Sequence, residues 1–247
     1  MMKNKITLTK TSDLLTGDSA FLTVVMIHGI ASDSHTYDSA LKHFKEDAGL
    51  NGVRFVTFDL LGAGKSLKDD DNLNYDYDDQ VEALNNAIDE LGIDTPLVLV
   101  GHSLGTFIVT RYTSIYPDKV SELILLSPPI FTKRDFANPA FAAGIEGFKQ
   151  MIGAKAPEIL KEKSFINSMD KIVLDQTNFD VLAGLTTPTT LIFGNGDQLI
   201  ASYNVPYLLK QNDNITAIET EGKHGVTHDK YEKLASILKK ILKGDVA

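Results

Sequence analysis

Thr95-Pro96-Leu97-Val98-Leu99-Val100-Gly101-His102-Ser103-Leu104-Gly105-Thr106-Phe107 is the stretch that decides how the chain reads. Leu97 to Val100 is a continuous apolar run, the pattern of a strand buried on both faces in a parallel sheet. Gly101-His102-Ser103-Leu104-Gly105 follows at once, and a helical pattern then runs from Leu104 to Tyr116. Alone, Gly-x-Ser-x-Gly is a weak motif. Between a buried strand and a helix it specifies a turn too tight for side chains at its two glycines. Ser103 is then expected in a strained backbone conformation, with Oγ projecting above the carboxyl end of the sheet.

Outward from that stretch, strands alternate with amphipathic helices. Residues 3–10 alternate apolar and polar like an exposed edge strand, and Phe21 to Ile27 reads as a strand ending at His28-Gly29-Ile30. A helix is predicted next, with Ser34 as N-cap and Tyr37, Leu41 and Phe44 on one face. Val53 to Phe58 is a buried strand that ends at Asp59-Leu60-Leu61-Gly62-Ala63-Gly64-Lys65-Ser66. An acidic stretch, 69–79, precedes a helix with Val81, Leu84, Ile88 and Leu91 on its apolar face. Beyond the opening stretch, Val120 to Leu126 reads as a strand. The rhythm then breaks at Ser127-Pro128-Pro129 and resumes at Pro188 to Phe193, followed by a helix from Ser202 to Lys210, a strand from Ile215 to Glu219 and a helix from Thr227 to Leu242. Between the break and the resumption the pattern is helical, with Phe141, Ile145, Phe148 and Ile152 on one face and Phe165, Met169 and Ile172 on another.

The expected architecture is α/β: a mostly parallel central sheet with helices on both faces, interrupted by a small helical insertion. Residues 1–129 and 188–247 form the core domain in this reading, and 130–187 the insertion. The 247 residues suffice for a large core, and 43% hydrophobic with 23% charged residues is ordinary for a globular chain. A formal net charge of −9 argues against nucleic acid or anionic membrane as the main partner. The absence of cysteine excludes disulfides, thiolate catalysis and Cys-ligated zinc. Met1 to Thr16 holds no apolar run of signal-peptide length, and the apolar stretch around Val24 to Ile27 is too short to span a bilayer, so the expected compartment is the cytoplasm, with no membrane insertion.

Serine needs a general base within hydrogen-bond reach, and the base needs an orienting group. In an open α/β sheet both belong on loops at the carboxyl ends of strands. Asp197 follows the strand at 189–193 through Gly194-Asn195-Gly196, and His224 follows the strand ending near Glu219. Competing groups read differently. His102 is expected to point into the sheet–helix packing, His43 to the surface, and His228, inside the last helix, to packing or solvent. Asp180 and Asp135 fall in the insertion. Gly64-Lys65-Ser66 resembles the end of a phosphate-binding loop, yet the position where that motif needs its first glycine is Asp59. The acidic stretch lacks the spacing of a calcium loop and reads as a solvated face leading into a helix N-terminus.

The chain resembles the α/β-hydrolase superfamily, in its serine-nucleophile branch with a small helical cap, over almost its whole length. The resemblance rests on His28-Gly29-Ile30, on Asp59-Leu60-Leu61-Gly62-Ala63-Gly64-Lys65-Ser66 (similar to the family's D-x-x-G-x-G-x-S), on the strand–turn–helix at Ser103, and on the order Ser103, Asp197, His224. It departs in carrying Lys223 where glycine often precedes the histidine, and Asp229 and Tyr231 where the family often has Glu-x-Pro. The resemblance implies a catalytic triad of Ser103, Asp197 and His224, an oxyanion hole from the backbone N–H groups of Ile30 and Leu104, and no cofactor or metal. His28 is expected to shape the oxyanion loop. His35, Tyr37, Phe141 and Phe148 are candidates for lining a substrate pocket. The expected activity is hydrolysis of small to medium carboxylic esters or thioesters of a small-molecule substrate. Carbon–carbon bond hydrolysis, lyase and aminopeptidase chemistry stay open, as does a small-molecule receptor with little turnover.

Overall fold

The computed structural model describes residues 6–66, 68 and 70–244. Seven strands form one sheet: β1 (Thr9–Leu15), β2 (Leu22–Ile27), β3 (Val53–Asp59), β4 (Leu97–His102), β5 (Glu122–Leu126), β6 (Thr189–Gly194) and β7 (Ile215–Thr220), in spatial order β1-β3-β2-β4-β5-β6-β7. β1 is antiparallel to β3, and every other pairing is parallel. The helices are α1 (Asp38–Glu46), α2 (Tyr77–Glu90), α3 (Leu104–Ile115), α4 (Lys133–Phe136), α5 (Pro139–Lys155), α6 (Lys163–Ser168), α7 (Asn178–Ala183), α8 (Val205–Gln211) and α9 (His228–Leu242). The segment between β5 and β6 contains α4 to α7, with short 3-10 and π turns, and no strand among its described residues.

β2, β4 and β6 are buried at every position, as their apolar runs require of strands covered on both faces. One face packs Val25, Ile27, Val56 and Leu99 against α2 and α3; the other packs Val24, Met26, Val98 and Val100 against α1 and α9. The strand order reverses between β2 and β4. Ile27 pairs with Gly101, so the chain leaves both strands at the same height and a crevice opens beyond their carboxyl ends. Ser103 sits in it.

The edge strand lies further along the chain than its alternation suggests. Residues 3–5 fall outside the described residues, and pairing with β3 begins at Thr9 and runs to Leu15, interrupted by a register shift between Lys10 and Ser12. Thr11 Oγ1 donates to Thr57 O (3.0 Å). Asp13 closes this edge with Arg54, whose Nε and Nη2 donate to its two oxygens at 2.8 and 2.9 Å. The Arg54 bond, with help from Lys10, holds the Asp13 carboxyl down to about 2. A depressed carboxylate contributes stability that is complete above its unfolded value and lost as pH falls through its folded one. Acid unfolding monitored between about pH 4 and 2 is therefore expected to flatten in Asp13→Asn. An unchanged slope there would assign the acid sensitivity to other carboxylates.

The first helix also starts differently. Ser34 is not the N-cap. Asp33 takes that place, its carboxylate accepting from His35 N (3.0 Å), and a short 3-10 turn over Ser34–Tyr37 leads into α1. Ser34 N instead donates to Asp59 Oδ1 (2.9 Å), which ties the start of this turn to the end of β3. The acidic stretch is also used structurally. Asp79 accepts from Tyr75 N (2.8 Å) and Asn74 N, and Asp76 caps α2 through Asp79 N (3.3 Å), while Asp69 lies outside the described residues.

Candidate active site

Ser103 stands between β4 and α3 with φ 52° and ψ −117°, a conformation that L-residues hold only when their surroundings impose it. The two glycines show what imposes it. A Cβ on Gly101 would lie 2.7 Å from the Gly105 carbonyl, and one on Gly105 would lie 2.3 Å from Ile27 O. α3 thus docks its first turn directly on β2 and β4 with no side chain between. Ser103 Oγ is left at the mouth of the crevice.

His224 comes from the β7–α9 loop, and its Nε2 lies 2.8 Å from Ser103 Oγ. Its Nδ1 donates to Asp197, at 2.9 Å from Oδ2 and 3.1 Å from Oδ1. The Asp197 side chain is fully buried, and that of His224 is 21% exposed. Burial raises the Asp197 carboxyl, but the bond from His224, the Leu199 amide (3.0 Å) and the Ser127 hydroxyl together hold it below the ordinary aspartate range. It is therefore ionised at neutral pH and fixes His224 with hydrogen on Nδ1, leaving the Nε2 lone pair for the serine.

The His28 turn is held by its own side chain. Nδ1 donates to Gly29 O (2.7 Å) and Nε2 accepts from Leu60 N (3.0 Å), bridging the loops after β2 and β3. Burial pushes this imidazole below the usual histidine range, which keeps it neutral and able to do both. The loop after β3 closes on Asp59, whose Oδ2 accepts from Lys65 N (2.8 Å). A Cβ on Gly64 would fall 2.0 Å from that oxygen. Where a phosphate-binding loop would cradle an anion, this chain keeps its own carboxylate. Ile30, after β2, and Leu104, the first residue of α3, both line the crevice with Ser103; the first amides of a helix have no intrahelical acceptor.

A cavity of about 360 Å³ opens over Ser103 and His224. Its wall is largely aromatic and aliphatic, with Phe107, Phe131, Phe141, Ile145 and Phe148 among the lining residues. Phe131, Phe136 and Phe141 pack edge to face at centroid distances of 4.8 to 6.2 Å. A second cavity, of about 220 Å³, shares only Ile30 and Leu104 with the first and carries polar groups, including Asp33, Lys68, Glu162 and Ser164.

Phe141 and Phe148 thus lie where a pocket role needs them, whereas His35 and Tyr37 do not. Tyr37 is fully buried against the opposite face of the sheet, its hydroxyl donating to Ile27 O (2.8 Å). The 3-10 turn carries it under the sheet, and His35 points to solvent beside Asp38 (3.1 Å). His228 lies at the surface. Its side chain is 65% exposed and meets Glu232 (3.5 Å) and His43, whose Nε2 is 3.0 Å from the same carboxylate oxygen. These three bring possible metal-ligand atoms within 4.8 Å of one another where α1 meets α9, and none of them lines the crevice cavities. Asp135 is spent on Thr132, Tyr203 and Asn204, and Asp180 faces Lys133 (3.8 Å).

Two further residues hold the site together. His102 Nε2 donates to the backbone carbonyl of His224 (2.8 Å), and burial drives this imidazole down to about 3, so it stays neutral. Lys230 in α9 is 0% exposed. A lysine in an amphipathic helix ordinarily reads as solvent-facing, and nothing in the local pattern marks this one.

The profile of the alpha/beta hydrolase fold family matches residues 23–156, more than half of the chain. The protein belongs to the α/β-hydrolase fold family. "Probable lysophospholipase BODYGUARD 1" of Arabidopsis thaliana is 30% identical over 144 residues, covering 58% of this chain and 29% of the relative. The "(Lyso)-N-acylphosphatidylethanolamine lipase" of Homo sapiens is 38% identical over 89 residues, 34% of this α/β hydrolase and 25% of that protein. The chain therefore spans less than a third of the length of these curated relatives. Among solved structures, an esterase from Exiguobacterium antarcticum superposes with a TM-score of 0.70 over 94% of both chains at 21% identity, a likeness of fold. Among the described residues, no helix is long and apolar enough to cross a membrane.

Proposed function

We propose that this α/β hydrolase cleaves small to medium carboxylic esters or thioesters through an acyl-enzyme formed on Ser103. The observation that carries the reading is the unbroken hydrogen-bonded chain from Ser103 Oγ through His224 to Asp197, opening into an apolar cavity. His224 Nε2 takes the Ser103 proton as Oγ attacks the carbonyl carbon, and Asp197 stabilises the imidazolium that forms. The amides of Ile30 and Leu104 receive the developing oxyanion, where losing one such donor typically costs about 3 kcal/mol. The imidazolium then protonates the leaving alcohol or thiol. Water, deprotonated by the same Nε2, releases the acid and regenerates Ser103.

The two cavities give the substrate a direction. The aromatic cavity suits the acyl chain, and the polar one, reached past Ile30 and Leu104, suits the leaving group. In this reading α4 to α7 act as a cap over the crevice, with α5 supplying Phe141, Ile145 and Phe148. Relatives whose names place them among lipases and lysophospholipases are consistent with an acyl substrate.

A fluorophosphonate probe is expected to label wild-type protein and not Ser103→Ala. Absence of labelling would favour a receptor with little turnover. On p-nitrophenyl esters, butyrate to octanoate should be hydrolysed faster than palmitate, whose chain exceeds the cavity. Gly144 lines that cavity, and a Cβ there meets nothing within 4 Å. Gly144→Leu is therefore expected to fold and to move the optimum toward shorter chains. An unmoved optimum would place the acyl chain elsewhere.

A further inference from the structure

Lys230 is the one described lysine sealed wholly inside the protein, and its Nζ finds three acceptors. It donates to Ser127 Oγ (2.6 Å), to Gly225 O (2.8 Å) and, at short range, to Lys223 O. All three ammonium hydrogens are therefore used, the condition under which a buried lysine is tolerated. Lys223 and Gly225 flank His224, and His102 Nε2 holds the carbonyl of His224 itself. Three consecutive carbonyls of the loop that carries His224 are thus pinned from below by buried donors.

Ser127 is the second half of the device. It stands at the carboxyl end of β5 with φ 49°, fully buried, and its hydroxyl is among the groups that favour the ionised Asp197 carboxylate. Since Lys230 Nζ donates to Ser127 Oγ (2.6 Å), the serine's own hydrogen is left to turn toward that carboxylate.

We propose that Lys230 is a positioning residue for the Ser103 reaction, its sealed ammonium fixing the His224 loop directly and the Asp197 carboxylate through Ser127. The inference rests on the reading of Ser103, His224 and Asp197 as the catalytic set. The ionisable groups that interact with this ammonium are Asp197 from the loop after β6 and His102 from the end of β4. Asp197 supplies the only opposite charge among them. Burial lowers the Lys230 ammonium below the ordinary lysine range, and Asp197 opposes that shift.

Lys230→Met keeps the length of the side chain and removes its charge and its donors. It is expected to lower kcat about 100-fold, the scale of a small misplacement of reacting groups. KM should hold, because Lys230 lines neither cavity. A merely structural lysine would lower the amount of folded enzyme without lowering kcat per folded molecule.

The chain has no cysteine, which allows a charge-specific rescue. In Lys230→Cys the thiolate, unfolded in denaturant, attacks 2-bromoethylamine and expels bromide, restoring an ammonium at nearly lysine's reach. Iodoacetamide in its place gives a neutral chain of similar size. After refolding, recovery of kcat with the first reagent and not the second supports the proposal. Equal behaviour of the two adducts overturns it, as does wild-type kcat in Lys230→Met. Should both Lys230 variants fail to fold, Ser127→Ala decides: a loss of kcat at constant KM supports the relay, and unchanged kcat refutes it. Ser103→Ala is assayed alongside; if it is active, the triad reading fails before the Lys230 proposal is reached.

Discussion

Ser103→Ala is expected to lower kcat by a factor of about 10⁴–10⁶ while leaving the fold intact. That range corresponds to about 5–8 kcal/mol of lost transition-state stabilisation. The size follows from what alanine removes. In the proposed mechanism there is no acyl-enzyme without Oγ, and the remaining catalysis is that of water held near the proposed oxyanion amides of Ile30 and Leu104. His224→Ala should fall in the same range, and the double variant should lose little more, because the two residues act as one unit joined at 2.8 Å. Asp197→Ala should cost less, about 10⁴-fold, since its proposed part is to hold a tautomer and to stabilise an imidazolium. Stability gives an independent reading of the same position. Alanine at 103 inherits the φ of 52°, whereas glycine adopts it freely, so Ser103→Gly should be about 1 kcal/mol more stable than Ser103→Ala in urea unfolding. Turnover of a p-nitrophenyl ester by Ser103→Ala at the wild-type rate would end the mechanism.

The parts of the site that read clearly from sequence are those set by local period and strand-end position. A run such as Leu97 to Val100 has one efficient use, and the glycines after it permit one kind of turn. Asp197 and His224 follow from a topological rule, since parallel strands deliver their loops to a single edge. Legibility fails where a side chain's destination depends on the meeting of distant elements. Tyr37 lies seven residues from Ile30 in sequence, yet the 3-10 turn capped by Asp33 sends it beneath the sheet to Ile27 O. Lys230 shares its helix with Lys233, Lys239 and Lys240, none of them buried, and only the convergence of β5, the His224 loop and α9 encloses it. The onset of β1 at Thr9 belongs to the same class: alternation begins earlier, but pairing starts only where β3 ends, opposite Asp59. Periodicity indicates that a residue is inward or outward. It does not say what waits there.

Gly105→Ala is the second large effect, and it acts on stability before chemistry. A Cβ at 105 would lie 2.3 Å from Ile27 O, 2.6 Å from His28 O and 2.9 Å from Ile27 C. These are backbone atoms at the end of a strand bonded on both sides, so no rotamer change relieves the overlap. Either α3 lifts off the sheet or the end of β2 is driven down. Overpacking a core typically costs 1–3 kcal/mol where side chains can give way. With only backbone to move, at least about 3 kcal/mol is expected, a fall in Tm of about 6–12 °C for a chain of this size. Gly144→Ala is the matched control, because its Cβ meets nothing within 4 Å and alanine favours the helix by about 1 kcal/mol. Any folded Gly105→Ala protein should also lose activity beyond its loss of stability. The displaced elements carry Ser103 on one side and Ile30 on the other, and a 2.8 Å contact between Ser103 and His224 leaves little room for either to move. Urea unfolding of Gly105→Ala within about 0.5 kcal/mol of wild type would mean that α3 and β2 are not held in the close contact on which the geometry of the turn depends.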